Sequence, residues 1–449
     1  MVGSSSPVRP SVRGIDAASL AVFRIALGLI TAGIGLRYFT KGWHRTHFID
    51  PDFAFSYAGL SWLECHDPAV VHLRLFGIIA GGLCLAAGIW ARRAAFLLFC
   101  LFTWQHLSDQ ALYLNHYHLL SILFLSASFI PLDRAYAWRP RGSVALVQRI
   151  HPAGLAWFRF VVGGVYVFAG IAKIGEDWLL RFEPLKSWFF ACSGLPWIGP
   201  LLAHEATAGV ASWAALFFDL LIPFLVLWPR TRRLAFATLL LFHLTTELIF
   251  PLGAFPWIMV ASASLLLSPS YPRAWRLRFG RRLSPGDRDD AEIPSPKEFL
   301  RLRSTAKISM AAAAIFFVAL PLRGLFLDGE MHWTEAGYRF SWRVMTMEKT
   351  GTLEFLVENQ KGEILASVTP ESILTPLQAA MARTQPDMIA QAAKEIARRE
   401  KSRRGHPVRV RALSRVCLNG LPSRWLVDPK VNLAGVNPHR GQRFRIEKK

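Results

Sequence analysis

The chain has 449 residues, of which 52% are hydrophobic and 18% charged, and its formal net charge is +21. A soluble protein carries about a quarter charged residues, so with a mean hydropathy of +0.29 the composition points to a polytopic membrane protein. Nucleic acid is excluded as the reason for the charge: no Gly-rich phosphate loop, zinc-ligand spacing or aromatic RNA motif accompanies it, and basic loops facing anionic lipid account for it.

Nine apolar stretches approach the roughly 20 residues that cross a bilayer. They lie at 17–39, 70–90, 94–110, 115–131, 154–174, 208–228, 233–250, 252–268 and 306–323. The first is too long for a signal-peptide core and no small-residue cleavage site follows it, so it reads as a retained helix. The short loops alternate in charge. With Arg9 and Arg13 in the cytoplasm, the cytoplasmic connections hold Arg92 and Arg93, then Arg134, Arg139, Arg141 and Arg149, then Arg230, Arg232 and Arg233, then a basic run between Pro269 and Thr305. The opposite loops hold only Lys41 and Arg45, then Arg181 and Lys186. This alternation predicts a cytoplasmic N-terminus and an extracytoplasmic C-terminal segment. Five cysteines, none in a CxxC, give no metal or redox signal, and no Asn-x-Ser/Thr sequon occurs.

After residue 323 the pattern changes. "TLEFLVE" and "EILASV" flank the polar turn "NQKG" and predict a hairpin; "HPVRVRALSRV" alternates like a strand. Between them lies a helical stretch broken at Pro386. The expected fold is therefore an all-α membrane bundle of about nine transmembrane helices, residues 1–323, followed by a small α+β extracytoplasmic domain, residues 324–449. A short internal echo, "FRIALGLI" at 23–30 and "FRFVVGGV" at 158–165, places an arginine early in two spans.

Ionisable groups at bilayer depth cost on the order of 2.5–3.5 kcal/mol each at mid-helix, so each needs a reason. Lys173 ends the fifth span. Asn115 and His116 open the fourth, Asp109 closes the third, and His243 and Glu247, four apart on one helix face, lie near the outer end of the seventh. All fall at one predicted level, toward the non-cytoplasmic side, which suggests a single chamber there. Arg24, Arg159 and Asp219 lie deeper. Structural readings stand beside the functional ones. Lys173 reads either as a snorkelling anchor or as a desolvated amine serving as a general base. His243 and Glu247 read as a satisfied pair or, with His116, as a metal site, though no HExxH is present. Asp219 reads as the neutraliser of Arg24 or Arg159. Glu176 and Asp177 read as ordinary outer-loop charges. An apolar, Trp-rich chamber suits a lipid-soluble substrate such as a quinol, and Trp104, on the third span, joins His243 and Glu247 as a candidate cofactor-binding residue.

In order along the chain, "FRIALGLI", "LYLNHYHLLSIL", "VFAGIAKIGEDWL", "FFDLLIPF", "LLFHLTTELIFPLGAFPWIMVAS", "WTEAGYRFSWRVM" and "VDPKVNL" resemble the vitamin K-dependent gamma-glutamyl carboxylase family with its horizontally transferred transmembrane domain. The resemblance implies a carbon–carbon lyase that uses reduced vitamin K (a naphthohydroquinone), O2 and CO2. A lysine deprotonates the hydroquinone, oxygenation yields a strong base, a glutamyl γ-proton is removed, CO2 adds to the carbanion and the quinone leaves as its epoxide. Lys173 matches the family's base, His116 with Asn115 matches its catalytic Asn-His motif, and His243 matches a histidine near the hydroquinone. The C-terminal domain resembles the part facing the protein substrate. Two departures stand out: Ala172 occupies the place of a second lysine in the animal enzymes, and the chain ends soon after Asp428 and Pro429. The lack of sequons and the Ala/Arg-rich composition point to a bacterial member in the cytoplasmic membrane, with membrane lipid, a quinone and a Glu-containing peptide or protein as its partners. The competing functions are a quinol oxygenase acting without protein carboxylation and a non-enzymatic membrane carrier or lipid-binding protein.

Overall fold

The computed structural model describes residues 14–138, 149–278, 304–327 and 329–438. Arg9, Arg13, Arg139, Arg141 and the basic connection beyond Arg278 lie outside the described residues. Each of the nine apolar stretches carries a helix: α1 (Ala18–Thr40), α2 (Pro68–Ala87), α3 (Ala91–Leu107), α4 (Asn115–Phe129), α5 (Pro152–Ile171), α6 (Glu205–Leu227), α7 (Arg232–Ile249), α8 (Phe255–Ala263) and α9 (Ser304–Leu322). Five are long and apolar enough to cross a membrane: α1, α2, α5, α6 and the stretch Lys307–Phe326 that contains most of α9.

Local chemistry sets the boundaries. The Asp67 carboxylate accepts from the Val70 amide, Pro68 opens α2, and Gly88 closes it at φ +76°. His151 and Pro152 start α5 in the same way, the His151 ring accepting from the Ala153 amide. Helices α1 and α2 pack together, as do α3 and α4, α5 and α6, and α7 with both α6 and α8; α1 also meets α8 and closes the bundle.

Two arginines, one fully buried and one half-buried, fasten the bundle. The Arg24 guanidinium, fully buried, donates to the carbonyls of Leu85 and Ala86 (2.7 Å each), Tyr136 (2.7 Å) and Leu132 (3.1 Å). Arg159 donates to Leu265 (2.9 Å) and Leu267 (2.6 Å). The carbonyls of Leu85, Ala86, Leu265 and Leu267 lie at or just past helix C-termini, where a cation is favoured by the helix dipole; those of Leu132 and Tyr136 lie in the loop after α4. The echoed segments also meet directly, Phe23 and Phe158 stacking edge to face at 5.3 Å.

The predicted hairpin forms. Strands β1 (Lys349–Glu358) and β2 (Ile364–Val368) pair antiparallel, β1 pairs along its whole length with β3 (Arg409–Leu418), and the two-residue β4 (Arg424–Trp425) completes a sheet of order β2-β1-β3-β4. Leu353, Phe355 and Val357 alternate inward with Val410, Ala412 and Val416. They pack on α10 (Pro376–Ala382), which opens with a Thr375–Gln378 capping box, and α11 (Pro386–Arg404).

This core also takes in Phe55 and Ala111, from loops between the bundle helices. Polar contacts tie the two layers: Gln378 donates to the Phe53 carbonyl (2.7 Å) and to Asp109 (2.8 Å), and the Ser56 amide donates to Gln391 (2.9 Å). Asp109 is thus a docking residue beyond the end of α3.

Gly28 and Gly82 set the spacing of α1 and α2. A Cβ on Gly28 would stand 2.4 Å from the Gly82 carbonyl oxygen, and backbone cannot swing aside. Gly33 of the same helix has nothing within 4 Å. Gly28→Ala is expected to lower stability by about 1–3 kcal/mol through overpacking, whereas Gly33→Ala gains up to about 1 kcal/mol of helix propensity. Thermal unfolding midpoints of the two variants in nanodiscs should move in opposite directions.

Candidate functional site

Lys173 lies just past the end of α5. Gly170, one turn earlier, lets α6 come close: a Cβ there would stand 2.7 Å from Leu220 Cδ2 and 3.1 Å from the Leu220 amide nitrogen. The approach brings Lys173 Nζ to 2.7 Å from Asp219 Oδ2 on α6, each residue 6% exposed. Nζ also donates to the Ala169 carbonyl at 3.2 Å and lies 5.1 Å from the centre of the Trp178 ring. Trp178 is fixed in turn by its indole N–H, which donates to the Ser212 carbonyl at 2.8 Å.

The expectation that Asp219 neutralises Arg24 or Arg159 is corrected: both arginines are satisfied by backbone carbonyls, and Asp219 pairs with Lys173. Asp219 lies about 21 Å along α6 from Glu205 and about 12 Å from Leu227. Lys173 therefore meets the middle of a long helix. The short helices Glu176–Leu179, Leu185–Ala191 and Gly199–Leu202 follow Lys173 in the chain and pack against α6. Buried and paired, Lys173 does not snorkel. Asp177 is likewise more than a loop charge: it binds Arg181 (2.6 Å) and accepts from Asn419 of the sheet domain (2.8 Å), tying the segment after Lys173 to that domain.

Lys173, Asp219 and His243 line one cavity of about 440 Å³, walled largely by aromatic and aliphatic side chains including Trp178, Trp188, Phe218 and Phe242. His243, on α7, is 2% exposed, and its Nε2 is 2.8 Å from the Tyr166 hydroxyl. Its Nδ1 has no hydrogen-bond partner among the described residues. Glu247 is not its partner. The Glu247 carboxylate accepts from the Leu252 amide at 3.0 Å and shapes the turn after α7, away from the cavity wall. Trp104 is also off the wall, donating to the Leu63 carbonyl at 2.8 Å with Arg74 over its ring at 5.0 Å. No group of three or more potential metal ligands occurs among the described residues.

Asn115 and His116 line a second cavity, of about 430 Å³. Leu252, Phe255, Val344 and Met345 line both. The Phe255 ring lies 5.8 Å from the ring of His116 and 6.0 Å from that of His243. The single predicted chamber is thus two adjoining ones with a shared wall. Part of that wall comes from the C-terminal region. Trp342 is 1% exposed inside the bundle and stacks on His118 at 5.0 Å, while the Phe340 amide donates to the Tyr113 hydroxyl at 2.6 Å. Phe340, Trp342 and Met345 hold φ values of +64°, +55° and +53°, a conformation costing each non-glycine residue of order 1–3 kcal/mol and typical of functional segments.

Two family models match the chain: the HTTM domain over residues 12–271 and the lumenal domain of vitamin K-dependent gamma-carboxylase over residues 304–446. The chain belongs to the vitamin K-dependent gamma-carboxylase family. With its long apolar helices it is a multi-pass membrane protein. No solved structure gives a significant match. Among the residues lining the two cavities, sequence reasoning had left out Tyr166 and Trp178 of the first and Arg37 of the second, and had given Asp219 a structural role. Asp219 carried a signal, a lone acid in an apolar span, but its partner depended on a helix offset that hydropathy does not encode.

Removing one member of a buried ion pair strands the other charge, which costs about 3–5 kcal/mol, whereas replacing both with apolar groups is often neutral. Asp219→Leu is therefore expected to destabilise the protein strongly, and Lys173→Met with Asp219→Leu to recover most of the loss. Thermal unfolding of both single variants and the double variant checks this; purely additive losses would show that the pair is not coupled.

Proposed function

We propose that the protein is an integral membrane vitamin K-dependent gamma-carboxylase-like enzyme in which Lys173 takes the proton from a reduced naphthoquinone. The Lys173–Asp219 pair in the wall of an apolar cavity carries the proposal. The cavity fits such a ligand: its volume lies within the roughly 300–1,000 Å³ usual for small-molecule sites, and its walls are apolar with a few convergent polar groups. When bound, the hydroquinone supplies, on reaction with O2, the strong base that removes a glutamyl γ-proton so that CO2 can add.

The protein's own residues hold and move the first proton. Asp219 fixes Nζ and offers a second site for it. A proton passed from Nζ to Oδ2 across 2.7 Å leaves a free amine at the cavity wall without separating charge in a dry medium. Tyr166 fixes the orientation of the His243 ring, which forms a polar point on an otherwise apolar wall. Trp178 and the aromatic lining exclude water that would quench a strong base. His116 assists from the adjoining cavity, and Asn115 is oriented beside it, accepting from the Tyr113 hydroxyl (2.9 Å) and donating to the Arg343 carbonyl (3.3 Å).

In this reading residues 1–323 form a membrane domain of nine transmembrane helices with a cytoplasmic N-terminus. Residues 324–449 form an extracytoplasmic domain, and the membrane is the bacterial cytoplasmic one.

Membranes carrying the protein, given reduced naphthoquinone, O2, labelled bicarbonate and a Glu-containing peptide, are expected to form epoxide and fix label. Lys173→Ala should lower both by at least a hundredfold, the scale of general-base catalysis. Epoxide without label on the peptide would favour a quinol oxygenase. Neither product, or a Lys173→Ala variant with full activity, would remove the catalytic role. Topology has a separate test: a reporter fused after Lys449 is expected to be active only outside the cytoplasm, and activity inside would overturn the nine-span arrangement.

A further inference from the structure

The two cavities differ in charge. In the first, Lys173 is matched by Asp219. The second is lined by one formally charged side chain, Arg37, and by no Asp or Glu. The Arg37 guanidinium lies 5.0 Å from the centre of the Trp43 ring, and no described residue gives it a hydrogen bond or an ion pair. Its place is made by Gly253, at φ +70°, where a Cβ would stand 2.7 Å from Arg37 Nη1. Arg37 is exposed, so an incoming side chain can reach it.

His116 lines the same cavity, packed against Tyr117 (4.9 Å) and Phe255 (5.8 Å), and its ring nitrogens make no hydrogen bond among the described residues. Asn115 differs, since both ends of its amide are engaged. Among the described residues the cavity thus presents a forked cation with no counter-ion and an imidazole with no hydrogen-bond partner, one aromatic wall away from the Lys173–Asp219 pair.

We propose that this second cavity binds a carboxylate, with Arg37 as its anchor. An acidic acceptor side chain would then occupy one chamber and the quinol the other, the two meeting across Phe255. The assignment of chambers rests on the carboxylase reading; the carboxylate site itself does not. A guanidinium matches a carboxylate with two parallel N–H···O bonds, and beside low-dielectric walls such a pair is stronger than in water. The opposite assignment is disfavoured by the same charges. An acid entering the first chamber would meet Asp219, whose charge already matches the only cation on that wall.

A carboxylate of this kind has two sources, a peptide side chain or a small free anion such as bicarbonate. Binding to the full-length protein in quinone-free nanodiscs separates them. A short glutamyl peptide, its glutaminyl counterpart and bicarbonate would each be titrated. The glutamyl peptide is expected to bind at least tenfold more weakly to Arg37→Gln, and more weakly at high salt. Arg37→Lys should recover part of the loss, and Gly253→Ala, which displaces the guanidinium, should shift affinity in the same direction as Arg37→Gln. Arg37-dependent binding of bicarbonate without the peptide would support the site and assign it to the small anion. Equal affinity for glutamyl and glutaminyl peptides, or binding of both anions unchanged in Arg37→Gln, would overturn the proposal. Because no turnover is needed, a protein that binds the peptide through Arg37 yet neither epoxidises nor carboxylates would sink the carboxylase reading and leave the site standing.

Discussion

The structure depends on one buried ion pair. Lys173 and Asp219 are each 6% exposed and 2.7 Å apart. Two charges taken from water each lose several kcal/mol of solvation, and only close geometry repays it. That geometry requires α5 and α6 to be near contact at the level of Gly170, where no side chain larger than hydrogen fits against Leu220 without displacement. It also requires α5 to end opposite the middle of α6 so that the lysine can turn across. The pair is thus a fold constraint, and in the function proposed above it is also a store for one mobile proton, which would link packing to chemistry at a single point.

Around this pair, backbone and side chains share the work of satisfying polarity in an apolar bundle. Arg24 and Arg159 donate to backbone carbonyls, at helix ends and in the loop after α4, a need that lipid cannot meet; the charge of Asp133 also acts on Arg24. Because these two cations are satisfied by carbonyls, Asp219 remains available to Lys173. The same division appears at Glu247 and Asp67, whose carboxylates accept from backbone amides at turns rather than serving the cavity.

Much of this was legible in the sequence. Hydropathy located all nine helical stretches because a run of apolar residues has few alternatives, and period-two alternation with a polar turn found the β1–β2 hairpin for the same reason. Lys173, His116 and His243 stood out because an ionisable side chain in an apolar run is costly. The pairing of Asp219 did not, since it depends on where α5 stops relative to α6. Nor could a single depth scale tell that Lys173 and His243 share one cavity while Asn115 and His116 line the next. That division is made by side chains from α8 and from residues 344–345, far apart in the chain. Glu247 and Trp104 were drawn toward the site by level alone, and level carries no azimuth: Trp104 turns to the Leu63 carbonyl and Arg74, and Glu247 to its own turn.

The strained segment from Phe340 to Met345 explains why the C-terminal region and the bundle are one functional object. A left-handed conformation at three non-glycine residues persists only where surrounding contacts fix it. Here they are supplied by the bundle: His118 stacks on Trp342, and Tyr113 accepts from the Phe340 amide. The strain places Val344 and Met345 in the wall common to both cavities, beside Phe255. Asn115, which borders His116, donates to the carbonyl of Arg343 in the same segment. A sheet domain that shifted on the bundle would therefore move the partition and reorient Asn115 together. On the other side, Asp177 and Asn419 tie the same domain to the turn that follows Lys173. Both chambers are held by one body, so docking of the sheet domain sets the distance between the lysine's cavity and the arginine's.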